Sequence, residues 1–152
     1  MRLIYATEPV SHSDKSIFLA GPTPRDANVL SWRPQAIELL KSFGYEGDVY
    51  IPEPRDGIFS SEYEDQVSWE HSAIFVSKTI LFWIPRDVEN GMPAFTTNVE
   101  FGWLVGSSDN RVIYGRPESA EKCRYLDWMY RNFLDRGPYS DLETMIGDIT
   151  SW

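Results

Sequence analysis

Cysteine occurs once in the 152-residue chain, at Cys123, which leaves no intramolecular disulfide and no cysteine-built metal cage. Basic residues are scarce: 14 Lys and Arg stand against 23 Asp and Glu, for a net charge of −9. That balance argues against a nucleic-acid polymer or an anionic membrane as partner, since both need a basic face. The two histidines, His12 and His71, have no ligand spacing around them, so no metal site is expected. No apolar run approaches the length of a membrane span, and MRLIYATEPV lacks the apolar stretch of a signal peptide. The expectation is a soluble, cytoplasmic protein. Glycine-rich GxGxxG and Walker-type sequences are missing, and Ser11, Ser31 and Ser60 lie outside any nucleophile-elbow context. No cofactor and no serine triad are expected, and Cys123 reads as packing.

Aromatic residues are plentiful, at 14% of the chain with six Trp. Some belong to a core, but so many flat side chains in a small acidic chain also suit a ring-binding pocket. The length fits one domain over residues 1–152. KSIFLA (15–20), DVYIP (48–52), TILFWI (79–84) and NRVIYG (110–115) read as strands, and RLIYA as an additional one at an edge. Between them fall helical stretches. WRPQAIELLKSF has Ser31 as its N-cap and Gly44 as its stop, and a second helix covers Glu62 to Ser77. A third begins near Thr96 or Thr97 and runs through VEFGWLVG. AEKCRYLDWMYRNFL follows Ser119, and DLETMIGDIT comes last. Alternating strands and helices predict an open α/β sheet, mostly parallel, with helices on both faces. Ligands of such sheets bind beyond the carboxyl ends of the strands, which gathers the loops after Ala20, Ile51 and Ile84.

Those loops carry the candidate chemistry: Gly21-Pro22-Thr23-Pro24-Arg25, Pro52-Glu53-Pro54-Arg55-Asp56-Gly57, and Pro85-Arg86-Asp87 leading to Pro93-Ala94-Phe95-Thr96-Thr97-Asn98-Val99-Glu100. Gly21 admits a close ligand and the prolines stiffen the loop. Arg25, Arg33, Arg55 and Arg86 could together form a local anion site, although each alone reads as solvated surface. Trp32, Trp69 and Phe95 could stack on a base, while Phe18, Phe82 and Trp83 read as core. Glu100 reads as lying in the first turn of its helix, where it either closes a capping box with Thr97 or acts as a nucleophile on an anomeric carbon. Glu70 falls on the stripe Tyr63, Val67, Glu70, Ile74, so it is either solvated or a functional acid. Buried beside Glu100, it would perturb the titration of both.

With these residues in view the chain resembles the nucleoside 2-deoxyribosyltransferase family, in its nucleoside 2-deoxyribosyltransferase-like branch. Ile17-Phe18-Leu19-Ala20-Gly21-Pro22, Ile80-Leu81-Phe82-Trp83-Ile84-Pro85 and Thr97-Asn98-Val99-Glu100-Phe101-Gly102 carry the likeness, with Pro52-Glu53-Pro54-Arg55 and Trp69-Glu70 between them. It spans about residues 16–130. The resemblance implies a flavodoxin-like (Rossmann-like) sandwich. It also implies a nucleophile at Glu100, which displaces a base from a 2-deoxyribosyl group and holds the sugar as an ester for a second base, or for water. Gly21 and Pro22 would border the substrate, a nucleoside or nucleotide, with Thr23, Arg25, Trp32, Arg55, Asp56, Trp69 and Phe95 as further contacts. Thr97 or Asn98 would hold a sugar hydroxyl. Two departures stand out. Ala94 occupies the place of an aspartate six residues before the nucleophile, and the proton-donating aspartate has only Glu70 as its candidate. Related hydrolases and a nucleotide-sensing domain without turnover are the rival readings. Family members assemble into homo-oligomers, and the aromatic YLDWMYRNF helix has apolar surface to spare.

Overall fold

A computed structural model of the chain describes residues 1–24 and 28–151. Five strands, β1 (Arg2–Tyr5), β2 (Ser16–Ala20), β3 (Asp48–Ile51), β4 (Thr79–Trp83) and β5 (Val112–Gly115), form one parallel sheet in the order β1-β3-β2-β4-β5. The expected edge strand is β1, in register with β3 from Arg2 opposite Asp48. Strands β2 and β3 are buried along their whole length, which is why they read as continuous apolar runs rather than as alternations.

Among the described residues, five helices cover both faces: α1 (Arg33–Ser42), α2 (Tyr63–Val76), α3 (Phe95–Gly106), α4 (Arg124–Leu134) and α5 (Leu142–Thr150). One core, holding Phe18, Tyr50, Ile80, Phe82 and Phe101, lies under α2, α3 and α4. The other, holding Leu19, Val49, Leu81, Trp83 and Ile113, lies under α1 and α5. This is the flavodoxin-like, Rossmann-like sandwich expected from the alternation. No helix among the described residues is long and apolar enough to cross a membrane.

Helix ends follow local chemistry, with some departures from the expected boundaries. Pro34 occupies the first turn of α1, where its missing N–H costs nothing. Gly44 ends that helix at φ +70°, its N–H donating to Lys41 O while the Tyr45 N–H donates to Leu40 O. Ser31 does not cap through the usual residue. Trp32 is the N-cap, and the Ser31 hydroxyl accepts instead from the Arg33 N–H at 3.2 Å. Helix α4 starts at Arg124, four residues later than expected, because Lys122 takes a left-handed φ of +51°. Cys123 is buried just before it.

The chain reverses direction across β2. From β2 it passes through α1 to β3 on one side, and from β3 it returns through α2 to β4 on the other. Neighbouring strands β2 and β4 therefore send their following loops to opposite faces, and a crevice opens between those loops.

Candidate active site

The crevice is a cavity of about 420 Å³, within the range of small-molecule sites. Its β2 wall is Gly21-Pro22-Thr23-Pro24, its α3 wall runs from Pro93 to Thr97 with Glu100, and α2 supplies Tyr63, Gln66, Val67 and Glu70. Phe59, Tyr63 and Phe95 are largely exposed aromatic rings at its rim.

Both singled-out acids face this space. Glu70 and Glu100 share a hydrogen bond between their carboxyl groups, which requires one of them to carry a proton. Burial, and next the Glu70 charge, push the Glu100 carboxyl up from its usual 4.5 to about 8. Glu70 is raised as well, chiefly by burial, while the Gln66 amide and Arg33 pull against the rise. The Gln66 side chain donates to Glu70 Oε1 at 2.7 Å, leaving the other oxygen for the cavity and for Glu100. At neutral pH the pair holds one proton between two carboxyls, as like charges in contact dictate.

The capping-box expectation for Glu100 is corrected. Helix α3 begins at Phe95, after Ala94 in the left-handed conformation at φ +59°, so Glu100 lies in the second turn and no side chain caps the helix. A helix terminus acts on charges within its first turn only. The positive charge that favours an anionic Glu100 comes from Arg33 instead.

Arg33 was expected to be surface or part of an anion site, and it is neither. It is 1% exposed, at the cavity floor. Its Nε donates to Leu19 O at 3.1 Å and its Nη2 to Gly21 O at 2.7 Å. Its Nη1 donates to Thr23 Oγ1 at 3.1 Å, to Pro22 O at 3.3 Å and to Glu53 at 2.6 Å. Glu53 also accepts from the Ser31 hydroxyl at 2.7 Å. Burial lowers the proton affinity of Arg33, and Glu53, Glu70 and Glu100 hold it up. The sequence signal for Arg33 was its position, in line with Ala36, Ile37 and Leu40 on the buried face of α1.

Gly21 is required twice over. It adopts φ +146°, and a Cβ there would fall 2.2 Å from Trp83 O and 3.0 Å from the Trp32 ring. The loop is thus pressed onto β4 and onto Trp32.

Of the expected contacts, Gly21, Pro22, Thr23, Phe95 and Thr97 line the cavity together with Glu70 and Glu100. The others lie elsewhere. Trp32 is buried in the α1-side core and donates its Nε1–H to Pro22 O, so its ring supports the loop from behind. Trp69 packs on Phe18 and donates to Glu8 O at 2.7 Å, which removes its ring from the cavity. Arg55 is engaged by Glu8 at 2.7 Å and lies 4.2 Å from the centre of the Tyr5 ring. Asp56 accepts from the Ile58 N–H on the exposed loop. Asn98 accepts from Arg86, whose Nη1 donates to Lys122 O. Arg25 lies outside the described residues. The four-arginine anion site is therefore not assembled: of the three described arginines, Arg33 alone reaches the cavity, and it is committed to Glu53 and the loop carbonyls.

A family described as nucleoside 2-deoxyribosyltransferase like matches residues 14–118, more than half of the chain. The protein belongs to the nucleoside 2-deoxyribosyltransferase-like family. No curated protein matches it. The region shared with the nucleoside 2-deoxyribosyltransferase-like proteins runs from the approach to β2 to just beyond β5. It thus contains the crevice, both acids, Arg33 and Glu53.

Proposed function

We propose that this protein is an enzyme of N-glycosidic bond chemistry, transferring a 2-deoxyribosyl group between nucleobases through an ester on Glu100, with Glu70 as proton donor and acceptor. The observation that carries the reading is the proton-sharing pair of carboxyls in a cavity with aromatic rims. A nucleoside entering the cavity parts the two acids. The proton, held by Glu100 in the free site, passes to Glu70, and Glu100 then faces C1′ as the anion, with Arg33 as its countercharge. Glu100 Oε attacks C1′ as the C1′–N bond breaks, and the Glu70 proton passes to the departing base nitrogen. A second base then attacks C1′ through its nitrogen and loses its proton to Glu70, and the Glu100 ester bond breaks. Two inversions give net retention at C1′. Pro22, Thr23 and Thr97 border the sugar in this reading, and Phe95 offers its ring to the base.

Incubation with deoxynucleosides or their monophosphates and a free acceptor base tests the proposal. Base exchange with retained configuration, and a glycosylated Glu100 seen by mass spectrometry without acceptor, are the expected results. Release of free sugar despite acceptor would make the enzyme a hydrolase. Binding without any product would make it a sensing domain. A Glu100→Gln variant is expected to lose at least about a thousandfold in kcat, the scale on which removing a nucleophile acts.

The same proposal includes assembly of the single domain into a homo-oligomer. Phe95, Val99 and Trp103 recur at helical spacing along α3 and are 62%, 73% and 52% exposed. This apolar stripe begins at the cavity rim and suits burial against a second copy. Sedimentation at micromolar concentration tests it, and a monomer there would overturn it.

A further inference from the structure

Arg33 makes more hydrogen bonds than any ligand contact would need, and they run in two directions. Three go to the carbonyls of Leu19, Gly21 and Pro22, so the guanidinium ties the end of β2 and its loop to the first turn of α1. The other direction is electrostatic. Glu53, from the loop after β3, meets Nη1 at 2.6 Å and is itself fixed by Ser31, while Glu70 and Glu100 feel the same guanidinium from the cavity side. A buried arginine with one carboxylate partner is close to neutral as seen from outside. Here a second pair of acids lies beside it and holds a single proton.

We propose that the Arg33–Glu53 ion pair is the positioning device of this site: Arg33 fixes the Gly21–Thr23 loop and stands behind the Glu70–Glu100 pair as its countercharge, and Glu53 limits how much of that charge the pair feels. The inference rests on reading Glu70 and Glu100 as the reacting pair. The groups that act on the pair are accounted for element by element. Arg33 comes from α1 and is itself met by Glu53 from the loop after β3, while Gln66, His71 and the rim residue Tyr63 come from α2. The α3 wall adds Thr97, and β2 adds only the apolar Phe18 and Ala20. His71 lies on the exposed side of α2 against Trp103, so the buried countercharge is Arg33.

The test begins on the unliganded protein, so that it does not depend on turnover. Carboxyl ¹³C NMR follows loss of the shared proton in wild type and in Glu53→Gln. The Gln side chain still accepts from Arg33 and Ser31 but removes the negative charge. The proton is expected to leave about one pH unit lower than in wild type, since an unneutralised guanidinium favours the anions. An unmoved titration would overturn the electrostatic half of the proposal. Arg33→Lys keeps the charge and loses the fork that spans the loop carbonyls. Amide order parameters at Gly21 and Thr23 are expected to fall in it, and unchanged values would overturn the positioning half. Should Arg33→Lys not fold, Glu53→Gln still decides the electrostatic half, and Ser31→Ala, which frees one side of Glu53, repeats the loop measurement. A wild-type protein that turns over no nucleoside would sink the transferase reading alone and leave these measurements to judge the Arg33–Glu53 pair.

Discussion

Replacing Glu70 by Gln should make the protein more stable at alkaline pH while disabling it. A carboxyl that binds its proton more tightly in the folded than in the unfolded chain makes folding favour low pH. Glu100 is such a group, raised from 4.5 to about 8. Wild-type stability should therefore decline as pH climbs from about 4.5 to about 8 and level off above. At about 1.4 kcal/mol per pH unit, the ceiling on that loss is on the order of 5 kcal/mol. Burial accounts for the larger part and the Glu70 charge for the next largest. The Gln side chain keeps the shape and the contact with Gln66, removes the like charge, and can donate its own N–H to the Glu100 carboxylate. About 2 kcal/mol of the penalty should vanish, which for a chain of this length is a melting temperature about 5 °C higher at pH 9. At pH 5, where the pair already holds its proton, the two proteins should melt together. Thermal melts at half-unit steps from pH 5 to 9, compared as differences, cancel the general repulsion of an acidic protein. Parallel curves for the two proteins would refute the contact between the acids, and with it the case for a shared proton.

Three further substitutions separate the groups that hold the site from those that meet a ligand. Gly21→Ala should destabilise the protein by about 3 kcal/mol, because its Cβ would meet Trp83 O at 2.2 Å with no flexible neighbour to yield; a wild-type denaturation curve would contradict this. Trp69→Phe should cost about 1 kcal/mol through the lost hydrogen bond to Glu8 and leave KM for a nucleoside unchanged. A large rise in KM without loss of stability would return Trp69 to the role of stacking platform. Phe95→Ala should do the reverse, raising KM about fivefold to tenfold at unchanged stability of the single chain, in which its ring is 62% exposed at the rim.

The layers of the fold were legible because buried parallel strands such as TILFW carry an unbroken apolar signature. Glu70 was legible for a different reason. An acid on an apolar stripe must be explained, and the cavity explains it. The same argument applies to Arg33 on the buried face of α1, yet an arginine beside a helix-opening proline also looks like ordinary surface. Local spacing could not decide Trp32 and Trp69 either. Each is one residue from a site residue in sequence, but successive side chains on a helix point some 100° apart, so Trp69 meets Phe18 while Glu70 meets Glu100. The start of α3 was misplaced because TNVE spells a capping box, whereas the helix begins one or two residues earlier, at Phe95, directly after the left-handed Ala94.

The reversal of the chain across β2 has a mechanical consequence. The helical layers on the two faces are separated by the sheet, and the crevice is where side chains from both layers converge, Arg33 from one and the two glutamates from the other. A molecule seated there would act as a rivet through both layers, so its binding energy would resist unfolding of each. Its presence would be readable as a rise in melting temperature that grows with its concentration, before any chemistry is observed.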